Sequence, residues 1–163
     1  MRYVMKQKLF ALTDRYAIRD EAGRELFWVD GKIFSLGHKL SFRNPAGEEL
    51  AYIAQKLLSW GPTYEIYRGG DLAAVVKKVL FTFFSCRFTI DVPGPDDLEA
   101  AGDFLDHEYG FRRADGRAAA TVSKQWFAWT DTYGVDIAAG EDDVLILAAT
   151  VVIDLVCHDR KNA

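Results

Sequence analysis

The sequence predicts a mainly β fold, a closed antiparallel barrel of about twelve strands enclosing a hydrophobic C-terminal α-helix. Three observations predict it. A hairpin-like unit recurs four times; eleven or twelve candidate strands precede residue 140; and the stretch Val144 to Val156 is apolar almost all round. A helix apolar on every side must be enclosed, because no face of it suits water. At about 10–12 Å across it is too wide for an eight-stranded barrel already filled by side chains, so a larger closed barrel is required.

The repeated units are YAIRDEAGRELFWVDGK, LSFRNPAGEELAYIAQK, YEIYRGGDLAAVVKK and YGFRRADGRAAATVSK. In each, an extended apolar segment meets a glycine-bearing turn and a second apolar segment ends in lysine. Gly23, Gly47, Gly69 and Gly116 precede Lys32, Lys56, Lys78 and Lys124 by nine, nine, nine and eight residues. Glycine tolerates the positive φ of tight hairpin turns, and Asp20, Asn44 and Asp115 can bond nearby backbone. Residues 79–92, VLFTFFSCRFTIDV, alternate over a longer span, with Leu80, Phe84, Cys86, Phe88, Ile90 and Val92 on one face and a strand in the later half. Pro93-Gly94-Pro95 ends it, since proline supplies no ladder donor. DDLEAAGDF then reads as one helical turn opening at Asp96 or Asp97 and stopped by Gly102. The closing helix, Asp142 to His158, would run about 25 Å. Glu141, Asp142 and Asp143 suit its positive end, and His158, Arg160 and Lys161 its negative end.

Length and composition agree with one domain over residues 1–163. No stretch rich in Ser, Pro or Gly marks a linker. The 20 Lys+Arg against 24 Asp+Glu leave a net charge of −4, which argues against nucleic acid as partner. Lys6 and Lys8 interrupt the apolar run an export signal needs, so a cytoplasmic location is expected, with peripheral attachment to a membrane allowed. The longest apolar run, Val144 to Ile153, is too short for a transmembrane segment. Cys86 and Cys157 lie among apolar neighbours and read as reduced, packed thiols.

MKQKLF at the start, LAYIAQKLLSWGPTYEIYR in the middle and DTYGVDIAAGEDDVLILAATVVIDLVCH at the end together resemble the LOR family, in particular its bacterial YxjI-like branch. The resemblance covers essentially the whole chain. It implies a fold similar to the tubby C-terminal domain and to phospholipid scramblases, with twelve strands around a hydrophobic C-terminal helix, and no settled activity. Tubby domains bind phosphoinositide headgroups; no tubby lipid-binding motif matches this sequence residue by residue, so no site is carried over.

For catalysis the sequence offers little. His38, His107 and His158 are far apart, and no metal-ligand spacing, phosphate loop or nucleophile elbow appears, so neither metal nor cofactor is expected. Asp103, Asp106, His107 and Glu108 form one polar cluster, but on a strand Asp106 and Glu108 face one way and His107 the other. Asp154 stands alone in the apolar helix, where a carboxylate costs several kcal/mol unless paired or protonated. Tyr133, Arg87 and Lys161 are candidate partners, with registration of the helix weighed against a catalytic role.

The best binding candidates are the lysines that close the hairpins. Laid side by side, the hairpins bring Lys32, Lys56, Lys78 and Lys124 to one end of the barrel, with Lys77 and Arg68 close by, where their field would attract a phosphate or acidic headgroup. The competing reading is that these charges only guard strand ends. Trp60 with Tyr64, and Trp126 with Trp129, form either an apolar rim or core. The leading expectation is a non-enzymatic barrel binding an anionic ligand or phospholipid headgroup. The alternatives are a protein-interaction or scaffold module and a scramblase-like membrane role.

Overall fold

Each of the four repeated units folds as a β-hairpin, and the hairpins follow one another round a ring. The computed structural model describes residues 1–6, 16–32, 36–80, 86–127 and 132–158. Its strands are β1 (Arg2–Lys6), β2 (Tyr16–Asp20), β3 (Glu25–Lys32), β4 (Lys39–Arg43), β5 (Glu49–Gln55) and β6 (Thr63–Arg68). They continue as β7 (Asp71–Leu80), β8 (Cys86–Asp91), β9 (Leu98–Asp103), β10 (Glu108–Arg113), β11 (Ala118–Ser123) and β12 (Thr132–Ile137), followed by helix α1 (Asp143–His158). Every strand pairs antiparallel with its neighbours in sequence, and β12 closes on β1, so no sheet edge is left open.

The turn chemistry is repeated as the sequence predicts. The amides of Gly23, Gly47 and Gly116 donate to the carbonyls of Asp20, Asn44 and Arg113 at 2.9–3.0 Å. The side-chain oxygens of Asp20, Asn44 and Asp115 accept the amides of Arg24, Glu48 and Arg117 at 2.9–3.0 Å. In all four repeats the register shifts next to the turn, at Ile18/Arg19, Phe42/Arg43, Ile66/Tyr67 and Phe111/Arg112. Bulges there bend and twist the strands, as closure of a barrel demands.

Two expectations are corrected. The later half of residues 79–92 is the expected strand, β8, but the alternation does not continue as one extended run. Leu80 pairs with Cys86 and Val79 with Arg87, so the chain reverses between β7 and β8. Fourteen residues of strand would span about 46 Å at 3.3 Å each, far longer than the barrel wall. Phe84 lies outside the described residues. DDLEAAGDF is also not a helical turn: Leu98 to Asp103 form β9, with Leu98 and Ala100 facing the core. Pairing on both sides, to β8 and β10, overrides its local helix propensity.

Helix α1 fills the barrel. Leu145 through Val156 are all buried, against Phe42, Ile53, Ile66, Phe88, Ile90 and Phe111 of the inner wall. Its first turn is fixed at the end that carries the repeated turns. Asp142 caps it by accepting the Leu145 amide at 3.1 Å, and both Asp142 oxygens accept Arg68 at 2.7 Å. Arg113 binds Glu141, and the Tyr3 hydroxyl donates to Asp143. Asp142→Ala removes the cap and the Arg68 partner together. It is expected to lower the unfolding free energy by about 1–2 kcal/mol, read as a shift in the urea midpoint.

Candidate functional site

Antiparallel order sorts the predicted binding residues between the two ends of the barrel. The repeated turns and the start of α1 define one end, and β5, β7 and β11 finish at the other. Lys56 follows the last residue of β5, Lys77 and Lys78 lie near the end of β7, and Lys124 follows β11, all at the far end. Lys32 closes β3 there by its backbone, while its side chain lies outside what the structure describes. Arg68 is not close by. It closes β6, which runs the other way, and it is held on Asp142 beside the helix N-terminus.

The lysines do not form one cluster. Lys56, Lys77 and Lys78 share the arc of wall from β5 to β7, with Lys39 at the start of β4, whereas Lys124 stands across the ring on the β11 side. Lys56 lies 3.9 Å from Glu65 and Lys77 3.1 Å from Asp91, both pairs being surface pairs worth little. Lys78 and Lys124 make no ion pair among the described residues.

The connections over the same arc are apolar and exposed. Leu36, Leu57, Leu58 and Trp60 all face solvent, Leu58 at 94% and Trp60 fully. The two loops meet, since a β-carbon at Gly37 would fall 2.9 Å from Leu57 Cδ2. The Lys78 amide ties the second loop to β7 by donating to the Pro62 carbonyl at 3.1 Å. Of the aromatic residues singled out in sequence, Trp60 alone among the described ones is exposed. Tyr64 is core, Trp126 lies under the Arg2 guanidinium at 4.3 Å and against Gly134, and Trp129 lies outside the described residues.

A second constellation sits inside the barrel, at the far end of α1. Asp154 is buried at 3% exposure and accepts two hydrogen bonds. Tyr133 donates its hydroxyl to Oδ2, and His107 Nε2 lies 3.0 Å from Oδ1. Tyr133 has spent its one proton on Asp154, so the Tyr16 hydroxyl, 3.1 Å away, donates to Tyr133. Burial first, and the Asp154 charge second, push the hydroxyls of Tyr16, Tyr109 and Tyr133 well above the usual phenol value, which keeps them protonated. The His107 ring is sandwiched between Tyr133 at 4.2 Å and His158 at 4.6 Å.

The β9–β10 turn is shaped to deliver His107 to this place. Its φ is +53°, a left-handed conformation that costs a residue with a side chain about 1–2 kcal/mol. The Asp103 carboxylate holds the turn by accepting the amides of Leu105 and Asp106 at 3.1 Å each. Glu108, the first residue of β10, faces away and accepts Ser123 and the Lys124 amide, whereas Asp106 and His107 lie in the turn, so strand alternation does not govern the cluster. Of the partners expected for Asp154, Tyr133 is present, Arg87 lies on the outer wall against Glu99 at 3.4 Å, and Lys161 lies outside the described residues. Sequence reasoning misses His107 and His158 as neighbours of Asp154. The helical spacing of Asp154 and His158, four residues apart on one face, is the signal that could have found the second of them.

A family profile described as LURP-one-related (LOR) matches residues 1–154. Over 160 residues the chain is 38% identical to the uncharacterised protein YxjI of Bacillus subtilis (strain 168), covering 97% of this chain and 94% of that one. The X-ray structure of an Arabidopsis thaliana protein matches with a TM-score of 0.67 at 17% identity, covering 99% of this chain and 92% of that one, a likeness of fold.

Proposed function

The chain belongs to the LURP-one-related family, and from that premise we propose that it is a non-enzymatic binding module that docks on an anionic phospholipid surface by the far end of its barrel. The supporting observation is the exposed Leu57, Leu58 and Trp60 loop, flanked by Leu36 and set beside Lys39, Lys56, Lys77 and Lys78. Apolar side chains grouped in the open mark a contact surface. Tryptophan suits the headgroup level of a bilayer, and each lysine near an anionic surface gains about 1 kcal/mol. The barrel interior is filled by α1, which favours an outer rim over an enclosed ligand cavity. No helix among the described residues is long and apolar enough to cross a membrane, and α1 is enclosed, so a membrane role through the helix would require the barrel to open.

Flotation with phosphatidylcholine vesicles, with and without phosphatidylserine, tests this reading. The protein should float only with phosphatidylserine, and Lys56→Glu, Lys77→Glu and Lys78→Glu together should weaken binding by about 100-fold or more. Trp60→Ala should weaken it without changing its dependence on charge. Binding that ignores phosphatidylserine, or survives the triple reversal, overturns the proposal and leaves the rim to a protein partner.

A further inference from the structure

We propose that the buried residues His107, Asp154 and His158 form a structural site for a divalent transition-metal ion, with zinc the best chemical match. His158 supplies the first reason. Its Nε2 lies 3.4 Å from the Leu105 carbonyl, and a carbonyl oxygen can only accept, so the proton belongs on Nε2. That leaves Nδ1 as a bare lone pair. Nδ1 is buried, has no hydrogen-bond partner among the described residues, and lies 3.9 Å from Asp154 Oδ1. Two acceptors thus face each other in a water-poor interior, and a positive charge between them removes the conflict. A proton supplies that charge, and so does a metal ion.

The donor set favours the metal. The three residues bring ligating atoms to within 4.8 Å of one another, and all three are buried. Two imidazoles and a carboxylate are the set used by zinc and other nitrogen-preferring divalent ions, whereas calcium and magnesium require mostly oxygen. The surroundings also match. The His158 Nε2 proton on a backbone carbonyl fixes the tautomer that frees Nδ1, and the Tyr133 hydroxyl holds the second carboxylate oxygen, with Tyr16 behind it. His107 Nδ1 is likewise buried with no hydrogen-bond partner among the described residues, so that ring can move its proton to Nδ1 and present Nε2. The rings of His107 and His158 are stacked at 14°, so binding requires one to turn. The left-handed backbone at His107 fits the same reading, since strain held by the surrounding turn collects where a side chain must be aimed. None of these residues belongs to the exposed rim, so this site and the docking surface stand or fall separately.

The chain has three histidines, which makes the test clean. The whole protein is stripped with a chelator, then titrated with Zn²⁺ by calorimetry and with Co²⁺ by visible absorption. One equivalent is expected to bind, with d–d bands that report nitrogen and oxygen ligation and a rise in melting temperature with Zn²⁺. His158→Gln should weaken binding by more than the roughly 10–100-fold typical of losing an outer partner. His38→Asn should leave it unchanged. His158 ends the helix, so the folded state of the variant can be confirmed by circular dichroism before titration. If His158→Gln does not fold, His107→Asn takes its place, and loss of the one-equivalent Co²⁺ bands in that variant supports the site equally. A stripped protein that takes up no Zn²⁺ at millimolar concentration, or one whose uptake is unaffected by His158→Gln, assigns the positive charge to a proton and overturns the proposal.

Discussion

Asp154→Ala is expected to lower the unfolding free energy by about 3–5 kcal/mol, the cost of leaving two buried donors without their acceptor, at about 1–3 kcal/mol each. The substitution strands two donors inside the barrel, the Tyr133 hydroxyl and the His107 ring, and it opens a small void in the helix core. For a chain of this length the melting temperature should fall by about 10 °C. Asp154→Asn should lose less, because its amide oxygen still accepts from Tyr133 while His107 takes its other tautomer. Tyr133→Phe should show the coupling directly. In the Asp154→Ala background the added cost of Tyr133→Phe should shrink to that of its contact with the Tyr16 hydroxyl, since the bond to Asp154 is already gone. Urea midpoints for the four proteins of that cycle decide the matter. An alanine variant within about 1 kcal/mol of the parent would show that the cluster contributes little to folding, and strict additivity with Tyr133→Phe would show that Asp154 and Tyr133 are not coupled.

How much of this is legible in sequence depends on whether a local rule or the closing of the ring decides. The hairpins are local, since glycine, an Asx residue and a change of alternation fix each turn within a few residues, and four of them read correctly. The helix is legible because nothing polar relieves its apolar surface except Thr150 and Asp154. Asp154 is legible for the same reason, and Tyr133 is among its three expected partners. What brings His107 there is not local: 47 residues separate it from Asp154, and only the order of strands round the barrel makes them neighbours. Arg68 fails for a related reason. Direction alternates from strand to strand, and β6 ends where the helix begins. SWGPTY carries no signal that separates Trp60 from Tyr64, because exposure there depends on where β6 resumes. Tyr64 is the second residue of β6 and faces inward, while Trp60 precedes it on the rim.

Gly102 is where the local rule and the structure diverge most, and its replacement should be the most damaging change among the positive-φ glycines. Its sequence context suggests the stop of a helical turn. It is instead a residue of β9 with φ +141°, paired to Tyr109, and a β-carbon there would lie 2.6 Å from the Glu108 carbonyl oxygen and from Tyr109 Cα. Those are backbone atoms and cannot rotate aside. Gly102→Ala therefore combines a strained backbone with displacement of β10, and about 3 kcal/mol or more of destabilisation is expected. Gly116→Ala provides the comparison, since at φ +86° its β-carbon would meet nothing within 4 Å, leaving a backbone cost of about 1–2 kcal/mol. The displaced strand begins one residue after His107, so Gly102→Ala should also loosen the His107 contact with Asp154. Its effect and that of Asp154→Ala should then fall short of their sum. Denaturant midpoints measure both claims. If the two glycine variants prove equal, β9 and β10 do not approach as closely as the structure places them, and the turn would lose its part in aiming His107 inward.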